Sequence, residues 1–235
     1  MGYDNGQSLV LQDHLVRRGM SVELHGYQYS VYAWITRFAL HEKGVSYQWV
    51  EVNPFADDLP ANYLAMHPFG RVPTLINGDF VLFETGAITR YVDEAFVDGL
   101  KLQPSTPEAR ARVSQIISIV DSYIYWPLVR QVFSHDVMGP LIGRPSDPSE
   151  VHRGLEAAPH LLEGLNSVAS GNGFLVDDML TLADIHLAPM ISYFVESDDG
   201  HAIFRKYERL CAWWKVISAR AAFAETKPKL PKPCS

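Results

Sequence analysis

Cysteine is scarce in this sequence: 235 residues contain two, Cys211 and Cys234. Two thiols so placed make no disulfide framework, and their spacing fits neither a zinc site nor a CxxC redox pair. No apolar run approaches the roughly 18 residues of a membrane helix, and there is no apolar signal-peptide core. The expectation is a cytoplasmic protein with no membrane partner. A basic excess is missing too. Twenty Lys and Arg against 27 Asp and Glu leave a net charge of −7, which argues against the phosphate-neutralising face of a nucleic-acid binder. The nine histidines include no HExxH or comparable pair, so no metal site is expected. What remains is ordinary globular material, 47% apolar and 20% charged. At this length such a chain buries roughly 70% of its unfolded surface without staples.

Regular punctuation begins near Met20; residues 1–19 are polar, lack a period and are set aside as a leader. Val22, Leu24 and Gly26 read as a short buried strand ending at a turn. Ser30 is placed to cap a helix through Leu40 and Lys43, with Gly44 as its stop. Tyr47–Val52, rich in aromatic and β-branched residues, is a second strand. A βαβ unit of this spacing needs a crossover and implies parallel pairing. A loop with a short helix fills Asn53–Met66. Strands follow at Thr74–Ile76 and Phe80–Phe83 around the hairpin turn Asn77-Gly78-Asp79, and Glu84–Ala95 is the next helix.

The pattern then changes. Helices are predicted at Glu108–Val132, Val151–Ser170, Leu182–Glu196 and Phe204–Ala224, with a kink at Pro127 and breaks at Pro140, Pro145 and Pro148. The chain therefore divides into the leader 1–19, an α/β domain of order βαβ-ββα at 20–97, and a linker at 98–106. An all-helical domain at 107–225 and an extended Lys-Pro tail at 226–235 complete it.

Three motifs stand in this framework. HPFGRVPTL (His67–Leu75) sets Pro73 just before a strand. FETGAI (Phe83–Ile88) puts Glu84 and Thr85 at a helix start, where free N–H groups and the positive dipole end attract an anion. LTLADIHLAP (Leu180–Pro189) carries a capping box, Thr181 with Asp184, and a Leu180–Ile185 staple, all of which serve folding. In this order, over about Val22–Ala224, the chain resembles the cytosolic glutathione transferases, most closely their serine-type (phi- and theta-like) classes. The resemblance implies a thioredoxin-like N-terminal domain, glutathione as co-substrate and a two-fold homodimer. It implies a cis bond before Pro73, with the main chain of Val72 turned to the cysteinyl backbone of glutathione. Thr85 would bind the γ-glutamyl carboxylate and Glu84 its ammonium.

The family activates a thiol near the start of its first helix, since sulfur reacts as thiolate. Alignment on LHEKG (Leu40–Gly44) puts the serine position on Ser30. Ser30 is also a natural helix cap, and the two tasks compete for one side chain. Tyr27 and Tyr29 remain rivals on the tyrosine-type pattern. No cysteine lies in His25–Trp34, which argues against members that use a protein thiol. Two features depart from the family. The His-Lys pair for the glycine carboxylate falls on Asp58-Leu59, and the arginine that often follows the serine is only Arg37, one turn too far. Arg71 is the candidate for the missing positive charge.

The electrophile pocket implied by the resemblance lies between the domains, with Tyr32, Tyr123, Trp126, Arg130 and Phe133 as its candidate lining. The stretch DSYIYWPLVRQVF also offers Tyr125, and Trp126, Arg130 and Phe133 share one helical side. Phe69 is a candidate interface aromatic, while Trp213 and Trp214 read as core. The expected activity adds the glutathione thiolate to a small hydrophobic electrophile, as in detoxification. A glutathione-dependent peroxidase or dehalogenase stays open, as does a non-catalytic scaffold, which Asp58-Leu59 favours and Pro73, Glu84 and Thr85 oppose.

Overall fold

In the computed structural model the described residues are 21–170 and 173–232, so the leader, Met20 and Cys234 lie outside them. Four strands form one sheet in the order β2–β1–β3–β4: β1 Val22–Gly26, β2 Tyr47–Glu51, β3 Thr74–Asn77 and β4 Phe80–Phe83. Helix α1 (Val31–Glu42) carries the crossover between parallel β1 and β2, as their spacing requires. β3 runs antiparallel to β1 with Leu24 opposite Leu75. The Asn77-Gly78-Asp79 turn, with Gly78 at φ +62°, then returns the chain into antiparallel β4. Helices α2 (Ala61–Met66) and α3 (Thr85–Ala95) complete this half. Its own core is small: Val22, Leu24, Leu40, Leu75, Ile88 and Val92.

Most of α1 is packed by the other half of the chain. Leu40 joins the sheet core, but Val31, Trp34, Ile35, Phe38 and Ala39 belong to the core of the helical half. Two polar ties reinforce this seating. Trp34 Nε1 donates to Thr226 Oγ1 at 3.0 Å, and Arg220 forks onto the Glu42 carboxylate at 2.5 and 2.7 Å. Within the α/β half, buried Lys43 just after α1 meets Asp93 of α3 at 3.1 Å. Beneath the helix, a Cβ on Gly26 would lie 2.6 Å from the Trp49 ring and 2.9 Å from Ala33, so only glycine fits.

Helix α4 (Pro107–Ile119) continues directly into Val120–Met138, a π-wound stretch whose hydrogen bonds reach five residues along the chain. Pro127 lies inside this stretch. Instead of ending the helix there, the chain takes up the missing N–H within the wider winding and runs on to Met138. Helix α5 (Pro148–Val168), capped by Asp147, packs against it at Gly154, where a Cβ would sit 2.6 Å from the Pro127 carbonyl oxygen.

Helix α6 (Leu182–Phe194) is buried along its whole length and opens with the capping box of Thr181 and Asp184. Asp184 accepts from Leu175 N, Thr181 N, Thr181 Oγ1 and Trp213 Nε1 at 2.7–2.9 Å. Burial pushes its carboxyl up to about 6, and these four donors pull the other way. The single helix predicted over Phe204–Ala224 instead holds only the last residue of α7 (Asp198–Phe204) and two separate helices, α8 Glu208–Ile217 and α9 Ala221–Thr226. No Gly or Pro marks these breaks; tertiary contacts set them. The Tyr207 hydroxyl reaches Pro159 O at 2.8 Å, and Phe223 is buried against Trp34 and Phe38. Among the described residues no helix is long and apolar enough to cross a membrane.

Candidate active site

A cleft of about 870 Å³ lies between the α/β half and the π-wound helix. Its inner wall is made of turns. Ser30, at φ −70° and ψ 122°, is the N-cap of α1, and its Oγ accepts from Ala33 N–H at 3.2 Å. A hydroxyl has two lone pairs and one hydrogen. The cap uses a lone pair, and among the described residues the hydrogen has no acceptor. Capping and donating, which the sequence sets in competition, use different parts of the same group.

Tyr27 and Tyr29 border the same cleft with rings edge-on at 5.5 Å, and Tyr27 also meets Phe55 at 5.9 Å. Burial raises Tyr27 above the ordinary phenol value, Tyr29 and Glu51 add to this, and Arg144 opposes it. The carbonyl of Tyr29 accepts from the Tyr193 hydroxyl at 3.0 Å. Tyr193 is buried and stacks flat on Phe133, with ring centroids 4.0 Å apart. It thereby struts the loop that carries Ser30. Sequence reasoning missed Tyr193, since every other residue of α6 is buried too and none of its neighbours sets it apart.

The Val72–Pro73 bond is cis, and Arg71, Val72 and Pro73 all border the cleft. The Arg71 carbonyl is held by the Tyr63 hydroxyl at 2.5 Å. The Val72 N–H and C=O have no partner among the described residues. Glu84 precedes α3 at φ 72° and ψ 114°, and its carboxylate makes no capping bond. A non-glycine residue in that region costs about 1–3 kcal/mol, and such residues gather at functional sites. Thr85, the first residue of α3, is 6% exposed and faces the cleft. Buried His67 lies tilted against the Phe83 ring at 4.6 Å and also borders the cleft; burial lowers its pKa.

The outer wall comes from the π-wound stretch. Tyr32, Tyr125, Trp126, Arg130 and Phe133 border the cleft, Tyr32 and Tyr125 at 4.9 Å between centroids. The Arg130 guanidinium lies 5.8 Å over the Phe55 ring. Tyr123 does not border the cleft and is 61% exposed, contrary to expectation. Bonds that reach five residues put positions roughly four to five apart on one face. Asp121, Tyr125, Arg130 and Ser134 therefore share the cleft side, and Tyr123 turns away. Asp121 was not foreseen. Desolvation, then the like charge of Glu84, push it up to about 6, while the Tyr32 hydroxyl acts in the opposite sense.

The two departures also resolve in space. Asp58 and Leu59 lie outside the cleft, and Asn53, Pro54 and Phe55 of that loop border it instead. Arg37 sits 5.2 Å over Trp49, away from the cleft. Among the described residues, no three or more His, Cys, Asp or Glu side chains gather as a metal ion would need.

Fold and cleft together define a class: a thioredoxin-like domain and an all-helical domain that share one binding cleft. The chain matches the models of the glutathione S-transferase N-terminal domain over residues 20–94 and C-terminal domain over residues 129–221. It is 33% identical to glutathione S-transferase F10 of Arabidopsis thaliana over 196 residues, which cover 83% of this chain and 91% of that relative. With glutathione S-transferase 3 of Zea mays it shares 32% over 199 residues, 83% of this chain and 87% of the relative. Among solved structures it is similar to glutathione S-transferase III in apo form, with a TM-score of 0.78 and 29% identity over 92% of this chain and 99% of that one. Glutathione transferase F7 from Populus trichocarpa gives a TM-score of 0.76 and 28% identity over 87% and 97%. The chain belongs to the glutathione S-transferase family.

Proposed function

We propose that this protein is a glutathione transferase in which Ser30 donates its hydroxyl hydrogen to the glutathione thiolate. The observation that carries this reading is the Ser30 hydroxyl itself, which caps α1 through a lone pair and keeps its hydrogen free. The dipole of α1 adds positive potential at the same point. Val72 pairs its main chain with the cysteinyl backbone. Thr85 and the first N–H groups of α3 take the γ-glutamyl carboxylate, Glu84 takes the ammonium, and Arg71 takes the glycine carboxylate. The electrophile lies between Tyr32, Trp126, Arg130 and Phe133. Sulfur forms a bond to its carbon, and either a leaving group departs with the bonding pair or the adduct gains a proton. Family likeness supports a cytoplasmic homodimer acting on small hydrophobic electrophiles in detoxification. Phe69, 71% exposed, suits an aromatic contact with a second copy.

The test combines glutathione calorimetry with turnover of aryl halides and isothiocyanates. Ser30→Gly costs the cap only a few tenths of a kcal/mol. It should cut kcat by about 100-fold while glutathione still binds. If kcat survives in that variant and falls in Tyr27→Phe or Tyr29→Phe, the phenol is the activating group. Neither binding nor turnover in the wild type would end the transferase reading.

A further inference from the structure

We propose that the cleft holds a second, anion-recognising subsite formed by Arg130 and Arg144, and that the preferred electrophile is an aromatic acceptor bearing a carboxylate. The inference rests on the glutathione reading above and starts from charge accounting. Apart from its thiol, glutathione brings two carboxylates and one ammonium. Thr85 with the α3 start and Arg71 take the carboxylates, and Glu84 takes the ammonium. Two guanidinium groups that border the cleft are then left over, Arg130 and Arg144. Neither makes a side-chain hydrogen bond or ion pair among the described residues.

Their surroundings are aromatic. Arg130 lies 5.8 Å over Phe55, which meets Tyr27 edge-on at 5.9 Å. The charge of Arg130 is felt at the Tyr125 phenol and that of Arg144 at the Tyr27 phenol. Of the carboxylates of the cleft, Asp121 pairs with the Tyr32 hydroxyl and Glu84 acts on the same side. Glu51 also reaches Tyr27, but Trp49 Nε1 at 2.9 Å and Gln28 N at 3.0 Å already engage it. Around Tyr125 and Tyr27 the two guanidinium groups thus stand beside aromatic rings, with Glu51 the carboxylate that reaches Tyr27.

A guanidinium with no hydrogen-bond partner keeps its N–H edges free, and that fork matches a carboxylate in two parallel hydrogen bonds. The cation–π contact with Phe55 at 5.8 Å draws Arg130 to this side of the cleft before any ligand arrives. Trp126, 58% exposed, then offers a face to the ring of the acceptor. A purely apolar electrophile would leave both cations unmatched in a partly dried cleft, whereas an anionic one pairs them.

The test compares 4-chloro-3-nitrobenzoate with the uncharged 4-chloro-3-nitrobenzamide, each rate divided by its uncatalysed rate. In both, thiolate sulfur bonds to the ring carbon, the carbon–chlorine bond breaks, and chloride leaves with the electron pair. The wild type should favour the benzoate by about 10-fold or more, and Arg130→Gln/Arg144→Gln should erase that preference. Three results overturn the proposal: no preference in the wild type, a preference that survives in the double variant, or a rise in glutathione KM with the preference intact. The last would mean that these arginines hold the glycine carboxylate. If the wild type turns over neither acceptor, the aryl halide and isothiocyanate panel with glutathione calorimetry tests the transferase reading separately. Quenching of tryptophan fluorescence then decides the subsite: tighter binding of benzoate than benzamide in the wild type alone supports it, and equal binding overturns it.

Discussion

The two walls of the cleft are built by different means. The inner wall is mostly main chain: the capped start of α1 at Ser30, the cis Val72–Pro73 turn and the left-handed backbone at Glu84. The outer wall is mostly side chain, projected from one π-wound stretch: Asp121, Tyr125, Trp126, Arg130 and Phe133. A wall made of caps and turns tolerates many sequences as long as the turn residues remain, so it can serve one constant ligand. A wall made of side chains changes with every substitution and suits a ligand that varies. α1 links the two, because it begins at the inner wall and is buried in the core that supports the outer one.

That link sets the scale of the first and largest effect. Asp184→Ala would strand the N–H groups of Leu175, Thr181 and Trp213 in the helical core. The expected loss is on the order of 3–5 kcal/mol, read from the denaturant midpoint. Glutathione binding should disappear in the same transition that melts the helical half. Two separate transitions would show that the walls fold independently.

Tyr193→Phe is the intermediate case. It removes the hydroxyl that holds the Tyr29 carbonyl at 3.0 Å while keeping the ring on Phe133. Stability should fall by about 1 kcal/mol, and kcat should fall several-fold more than glutathione affinity. Equal losses in the two would make Tyr193 a packing residue only. The smallest effect falls on the outer wall alone. Trp126, 58% exposed, should on change to Ala raise the electrophile KM by about threefold and leave the glutathione Kd alone. A parallel change in both constants would erase the distinction between the walls.

The same distinction explains what could be read in advance. β1, α1 and the Asn77-Gly78 hairpin announce themselves through period, cap and turn chemistry, and the residues of the inner wall sit at those same signals. The outer wall depends on a winding that no period in DSYIYWPLVRQVF declares. Read at ordinary helical spacing, it puts Trp126, Arg130 and Phe133 on one side, and these border the cleft, but it keeps Tyr123 and overlooks Asp121. The breaks after Phe204 and Ile217 were illegible for a related reason. They answer to partners far along the chain, Pro159 for Tyr207 and Glu42 for Arg220.

Glu84 carries a consequence for anyone who selects variants of this chain. Its φ of 72° is a conformation that glycine adopts without cost. Glycine there would release about 1–3 kcal/mol of strain and delete the carboxylate at the cleft floor. On the ammonium role proposed for Glu84, heat resistance and thiol chemistry therefore pull codon 84 in opposite directions.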